Sequence, residues 1–257
     1  MRNFGSIIIA ALFFLTACAQ ETPEITPVGP ELANIIALHT EARGGKEAIE
    51  NIRTRDLTLE ITEPTFTVSG HYRASRDNQM RIDIFADGQR VFTEALGPDG
   101  GWQKFADGQI TDLSPEGSKA LERGLIANMH GLHELPKLGY TLELVGSTQR
   151  NNATFWEIKI IAPDGFAEHI FLDKDTFLIT SKVKTSALHV DIDPEAVRQE
   201  TFYSDYRESG GVFFSWRTET KNLDTNDVMQ TDIIKSHDVN FALDPQEFLR
   251  PASEATQ

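Results

Sequence analysis

His130-Gly-Leu-His133 sets two imidazoles three residues apart, which is how many metal sites begin. The residues around them lack the glutamate that a zinc-protease arrangement needs. His189-Val-Asp191-Ile-Asp193-Pro-Glu195 alternates oxygen ligands, but has neither the central glycine nor the distal glutamate of a calcium loop. Asp224–Asp227 reads as a turn between strands, and Asp205 with Arg207 or Arg217 as an ion pair on the wet face of a sheet. No nucleophile elbow occurs, and no glycine-rich phosphate loop leads from a strand into a helix. The expectation is a protein that is not an enzyme and carries no metal or cofactor. Cys18 stands apart from these groups. It is the only cysteine in 257 residues, so it has no disulfide partner and no companion thiol for zinc. It is an accident, a reactive thiol or a point of attachment.

The residues before it favour attachment. Arg2 supplies a positive start, Ile7–Leu15 is a short apolar run, and Leu15-Thr16-Ala17 narrows to small residues just before Cys18. That order is a secretory signal over residues 1–17, with an apolar stretch too short for a membrane span of about 20 residues. Leu15-Thr16-Ala17-Cys18 resembles a bacterial lipobox. The resemblance implies cleavage before Cys18, a diacylglyceryl group on its sulfur and an acylated amino end. One acyl chain holds a protein to a bilayer only marginally, whereas two or more hold it stably. Ala19 stands where an aspartate would be the familiar signal for retention at the inner membrane, so the expected location is the periplasmic face of the outer membrane.

The remaining 18–257 segment is long enough for one large β domain or two small ones. With 39 Asp+Glu against 24 Lys+Arg the chain carries a net charge of −15, which repels phosphate backbones and argues against nucleic-acid binding. It gives no electrostatic help towards anionic lipid either, so membrane contact falls to the acyl anchor and apolar surface. Ala19–Pro30 has three prolines and no apolar period, which makes 18–30 a lipidated tether reaching roughly 35 Å at about 3.1 Å per residue.

Glu31–Arg43 places Leu32, Ile35, Ile36 and His39 at helical spacing before a Gly44-Gly45 stop, and Lys46–Ile52 reads as a second short helix. From Leu57 the period drops to two, with turns at Asp87-Gly88, Pro98–Gly101 and Asp107-Gly108: hairpins in series, hence antiparallel neighbours. Ser114-Pro115 caps a helix predicted to run to about Met129, with Leu121, Leu125, Ile126 and Met129 on one face. β-rich segments then resume from Thr141 to Phe241. A sheet of about eleven strands curls or splits. The predicted class is α+β: a large, curved antiparallel β-sheet, an incomplete β-barrel, with helices against its concave face and one domain over 31–257.

Three stretches resemble a known family. Ile36–Ile52 is similar to the opening helix, double glycine and second helix of LolA/LolB-like outer-membrane lipoprotein-sorting proteins. Asp99-Gly100-Gly101-Trp102 resembles their early turn and tryptophan, and Tyr203–Thr220 resembles their late aromatic hairpin. Phe214 is followed here by Ser215, where the family usually has proline. The resemblance implies a LolA-like half-barrel enclosing an apolar cavity for acyl chains, and a lipidated Cys18 makes the topology that of LolB, the anchored receiver.

Strand parity then nominates the lining. Met80, Ile82 and Ile84 oppose Arg81 and Asp83; Trp156, Ile158 and Ile160 oppose Phe155, Glu157 and Lys159; Phe214 and Trp216 oppose Arg217 and Glu219. These eight apolar residues are the expected ligand-binding set. A free acyl chain crossing water faces on the order of 10 kcal/mol at about 0.8 kcal/mol per methylene, so the expected partner is a lipid or lipoprotein acyl chain shielded by a dry groove. The alternative is an accessory lipoprotein whose sheet docks a periplasmic protein and whose interior is filled by its own side chains.

Overall fold

A computed structural model describes residues 29–252. Cys18, the signal segment 1–17 and tether residues 19–28 lie outside the described residues.

Two helices open the fold, α1 (Pro30–Ala42) and α2 (Lys46–Asn51). Six strands follow: β1 (Thr54–Glu63), β2 (Phe66–Ser75), β3 (Gln79–Ala86), β4 (Gln89–Gly97), β5 (Gly100–Phe105) and the short β6 (Ile110–Asp112). After α3 (Pro115–Met129) come β7 (Thr141–Arg150), β8 (Ala153–Ile161), β9 (Ala167–Asp173), β10 (Ile179–Ser186), β11 (Val197–Ser209), β12 (Val212–Asn222) and β13 (Val228–Val239). A 3₁₀ turn, Pro245–Phe248, lies near the end.

All the strands form one antiparallel sheet of 13, in the order β6-β5-β4-β3-β2-β1-β13-β12-β11-β10-β9-β8-β7. It is two meanders joined where the first strand pairs with the last, from Arg55↔Val239 to Thr62↔Thr231. The free edges are therefore β6 and β7, the two strands that flank α3 in sequence. α3 spans between those edges, and a right-twisted sheet this wide curls. The sheet has more strands than the expected eleven. β6, only three residues long, is too short to show an alternation.

α3 begins as its sequence dictates: Ser114 accepts a hydrogen bond from the Gly117 N–H at 2.9 Å, and Pro115 occupies the first turn, where no donor is needed. Gly44, between α1 and α2, adopts φ +116°, and a Cβ there would sit 1.9 Å from the carbonyl oxygen of Gly211 in the β11–β12 turn. The helix pair thus rests on the sheet backbone itself.

Two hydrophobic clusters lie on the concave face. One joins Ile49 of α2, Ile52 just after it, and Leu125 and Met129 of α3, to Leu57, Tyr72, Ala74, Met80, Leu96, Val212 and Phe214. The other joins Leu32, Ile35 and Ile36 of α1, with Leu132 and Leu135, to Leu142, Ile158, Ile160, Ile170 and Leu172 of β7–β9. The opposite face of β3–β5 is also covered, by the Pro245–Phe248 turn. Asp83, which alternation places on the solvent side, is 3% exposed there.

Candidate functional site

Between the two clusters the half-barrel is hollow. A cavity of about 750 Å³ is bounded by the concave sheet, by α3 and by the 187–196 segment that links β10 to β11. The hollow persists because of what α3 presents to it. Gly117, Ala120, Gly124 and Ala127 line the space, and a Cβ on Gly124 would meet no heavy atom within 4 Å. Where α1 instead inserts Leu32, Ile35 and Ile36, the sheet is packed solid.

The eight residues nominated from parity divide accordingly. Ile82, Ile160, Phe214 and Trp216 line the cavity. Met80 and Ile158 point the same way along their strands but are packed within the two clusters. Trp156 packs at the edge of the second cluster, its ring 3.9 Å from the Lys174 ammonium, and Ile84 lies outside the lining. The structure adds Leu57, Leu59, Phe92, Leu121 and Ile234 to the apolar wall.

The wall also carries charges that alternation could have revealed. Arg55 shares parity with Leu57 on β1, and Glu94 with Phe92 on β4, so each is a charged residue at an inward position. Burial pushes the Glu94 carboxyl up to about 7, with Asp191 adding to the rise and His189 opposing it. Lys182 pairs with Glu168 at 3.3 Å, and against the pull of burial that carboxylate and Tyr203 hold its ammonium above the ordinary value. Lys184 stands directly across the strand pair from Glu168, but among the described residues no carboxylate lies within 4 Å of it. Burial and the charges of Lys182 and Arg123 push its ammonium down to about 8.

Near α1, Arg43 and Arg55 both lie against the Phe214 ring, their guanidinium carbons 5.2 and 4.3 Å from its centroid. Arg43 donates from Nε to the Phe213 carbonyl at 2.9 Å; Arg55 donates to His237 Nε2 at 3.0 Å and to the Asn128 carbonyl at 2.8 Å. His39 and His237 are neutral there: burial, with Arg43 and Arg55 respectively, pushes them down to about 4 and about 3.

One end of the cavity is closed by the 187–196 segment. His189 Nε2 meets Glu63 at 2.8 Å, and both Asp191 carboxylate oxygens accept the Ser114 N–H at 3.3 Å, at the start of α3. Gly117 is obligatory for that contact, since a Cβ would sit 1.8 Å from Asp191 Oδ2. The expected acidic loop is thus a strap. Its candidate ligands separate, with Asp191 at the start of α3 and His189 at Glu63 of β1. His130 and His133 separate likewise: His130 Nδ1 lies 2.9 Å from Arg76 Nη1, while His133 Nε2 approaches Glu50 at 3.5 Å. Among the described residues no group of three His, Cys, Asp or Glu side chains is placed to hold a metal. Asp205 pairs with Arg207 at 2.7 Å.

Several solved proteins are similar to this fold. A DUF1329 family protein from Desulfovibrio piger matches with a TM-score of 0.57 over 86% of this chain and 98% of its own, at 11% identity. A domain described as an outer membrane lipoprotein-sorting protein from Vibrio parahaemolyticus matches at 0.58 over 83% and 95%, also at 11% identity. A LolA superfamily protein from Nitrosomonas europaea matches at 0.54 over 84% and 96%, at 9% identity. This is a LolA-like fold. No family model and no curated protein sequence matches the chain. The LolA-like scaffold is thus carried by a sequence that shares about one residue in ten with these structures, so the lining must be read from this chain's own residues.

Proposed function

We propose that this protein is a lipid-anchored periplasmic binding protein that holds an acyl chain of a lipid or lipoprotein non-covalently and serves lipid or lipoprotein sorting to the outer membrane. The single observation that carries the reading is the cavity of about 750 Å³, within the roughly 300–1,000 Å³ that small-molecule sites occupy. Its wall of Leu57, Leu59, Ile82, Phe92, Ile160 and Ile234 offers apolar contacts that are non-directional, so a chain is shielded without hydrogen bonds that must break on release. Cys18 and the tether would keep that cavity near the bilayer, and Ala19 favours the outer membrane.

Support also comes from the LolA-like fold, which one neighbour described as a lipoprotein-sorting domain shares. The reading is of a binder, not an enzyme. The test is titration of delipidated protein with a neutral apolar probe, N-phenylnaphthylamine. Saturable fluorescence enhancement, reversed by an added acyl chain, is expected; an unchanged probe would contradict the reading.

A further inference from the structure

Arg73, Arg76, Arg81, Arg123 and Arg150 are largely buried, and each meets a carboxylate: Arg73 and Arg81 at Asp83, Arg76 at Glu134, Arg123 at Glu116 and Arg150 at Glu200. Arg43 and Arg55 break that pattern. Arg55 is 5% exposed, both line the cavity, and among the described residues neither has a carboxylate within 4 Å. Burial together with the charge of Arg43 brings Arg55 down to about 10, and burial lowers Arg43 as well. Carbonyls, the Phe214 face, a neutral His237 and the phenols of Tyr206 and Tyr72 answer them among the described residues.

A charge taken out of water costs several kcal/mol unless it is paired. In a chain of net charge −15 acids are abundant, yet none is supplied here. The neighbouring Trp216 lines the same cavity, and its buried indole N–H has no acceptor among the described residues. Positive charge, spare donors and an adjoining apolar hollow are what the head and tail of an anionic amphiphile require.

We propose that Arg43 and Arg55 seat the anionic head group, carboxylate or phosphate, of the amphiphile whose chain occupies the cavity. The proposal rests on the acyl-binding reading above and narrows its ligand class. The guanidinium groups suit either oxyanion, and both lie against the Phe214 ring.

The test compares three ligands of one chain length, dodecanoate, dodecyl phosphate and dodecanol, by displacement of the neutral probe from the intact protein. One or both anions should bind about tenfold or more tightly than the alcohol, as one charge-assisted hydrogen bond implies, and the tighter anion identifies the source of the head group. In Arg43→Gln, at a half-buried site, that preference should collapse while dodecanol affinity stays, and Lys184→Gln should retain it. Equal affinity for all three ligands in the wild type would overturn the proposal and leave acyl binding standing. A preference that survives Arg43→Gln and disappears in Lys184→Gln would place the head group at the other end and also overturn it. If none of the three binds, both readings fall.

Discussion

Trp102 donates its indole N–H to the carbonyl of Phe248 at 3.0 Å, on the face of the sheet turned away from the cavity. Both side chains are almost fully buried, at 2% and 0% exposure, and a Cβ on Gly97 would sit 2.4 Å from the same carbonyl oxygen. The C-terminal turn is therefore a structural plug on the convex side. Phe248→Ala should cost about 3–5 kcal/mol in chemical denaturation, as large-to-small changes in a packed site do, while probe affinity per folded molecule is unchanged. A stability loss under 1 kcal/mol would mean that the turn is not packed as described.

Beneath that plug Asp83 accepts from Arg73 at 2.6 Å, from Arg81 at 2.8 and 2.9 Å and from the Thr93 hydroxyl at 2.6 Å. Although burial raises it, these donors hold the carboxyl below its ordinary value. Its contribution is present above the unfolded carboxylate range and is lost as pH falls through the lower folded pKa. Asp83→Ala leaves Arg81 without a carboxylate and Arg73 with Glu247 alone, and should destabilise by about 3–5 kcal/mol at pH 7. Denaturation curves that superimpose on wild type would refute the pairing.

Glu94 runs the other way. Its folded pKa of about 7 exceeds the ordinary 4.5, so the folded state binds the extra proton and stability falls as pH rises from about 4.5 to 7. Glu94→Gln should flatten that part of the pH profile and stabilise the protein at pH 8, by up to about 3 kcal/mol. A mutant profile parallel to wild type would show that Glu94 ionises freely.

Gly124 is the gap in α3 over the hollow. Gly124→Leu removes the glycine penalty of about 0.8–1.0 kcal/mol in a helix interior and places a side chain where no heavy atom lies within 4 Å. The melting temperature should hold or rise while acyl-probe affinity drops about tenfold or more, the scale of losing a few buried methylenes. A variant that binds as wild type would show that the space beside Gly124 is not where the chain lies.

Most elements were legible in the sequence, because Ser114-Pro115 with Leu121, Leu125 and Met129 writes a helix, and alternation writes strands. The pairing of β1 with β13 was not, since Leu57 and Leu59 show which face is inward but not which strand lies beside them. Nor did parity separate lining from core. Met80 and Ile82 share one face of β3, yet one is packed against α3 and the other faces the hollow. That difference is made by the element overhead: Leu125 and Met129 fill space, Gly124 and Ala120 leave it. Arg55 and Glu94 were visible as charges on inward faces, but their partners come from other strands. Asp83 read as wet because the turn that covers it is 162 residues further along the chain.

The most direct measurement is native mass spectrometry of the protein purified under mild conditions from bacterial membranes, followed by the same measurement under denaturing conditions. The account predicts an acyl-bearing mass that accompanies the folded protein, disappears on denaturation and is absent from Gly124→Leu. A native mass equal to the denatured one, with lipid extracts at blank level, would contradict it.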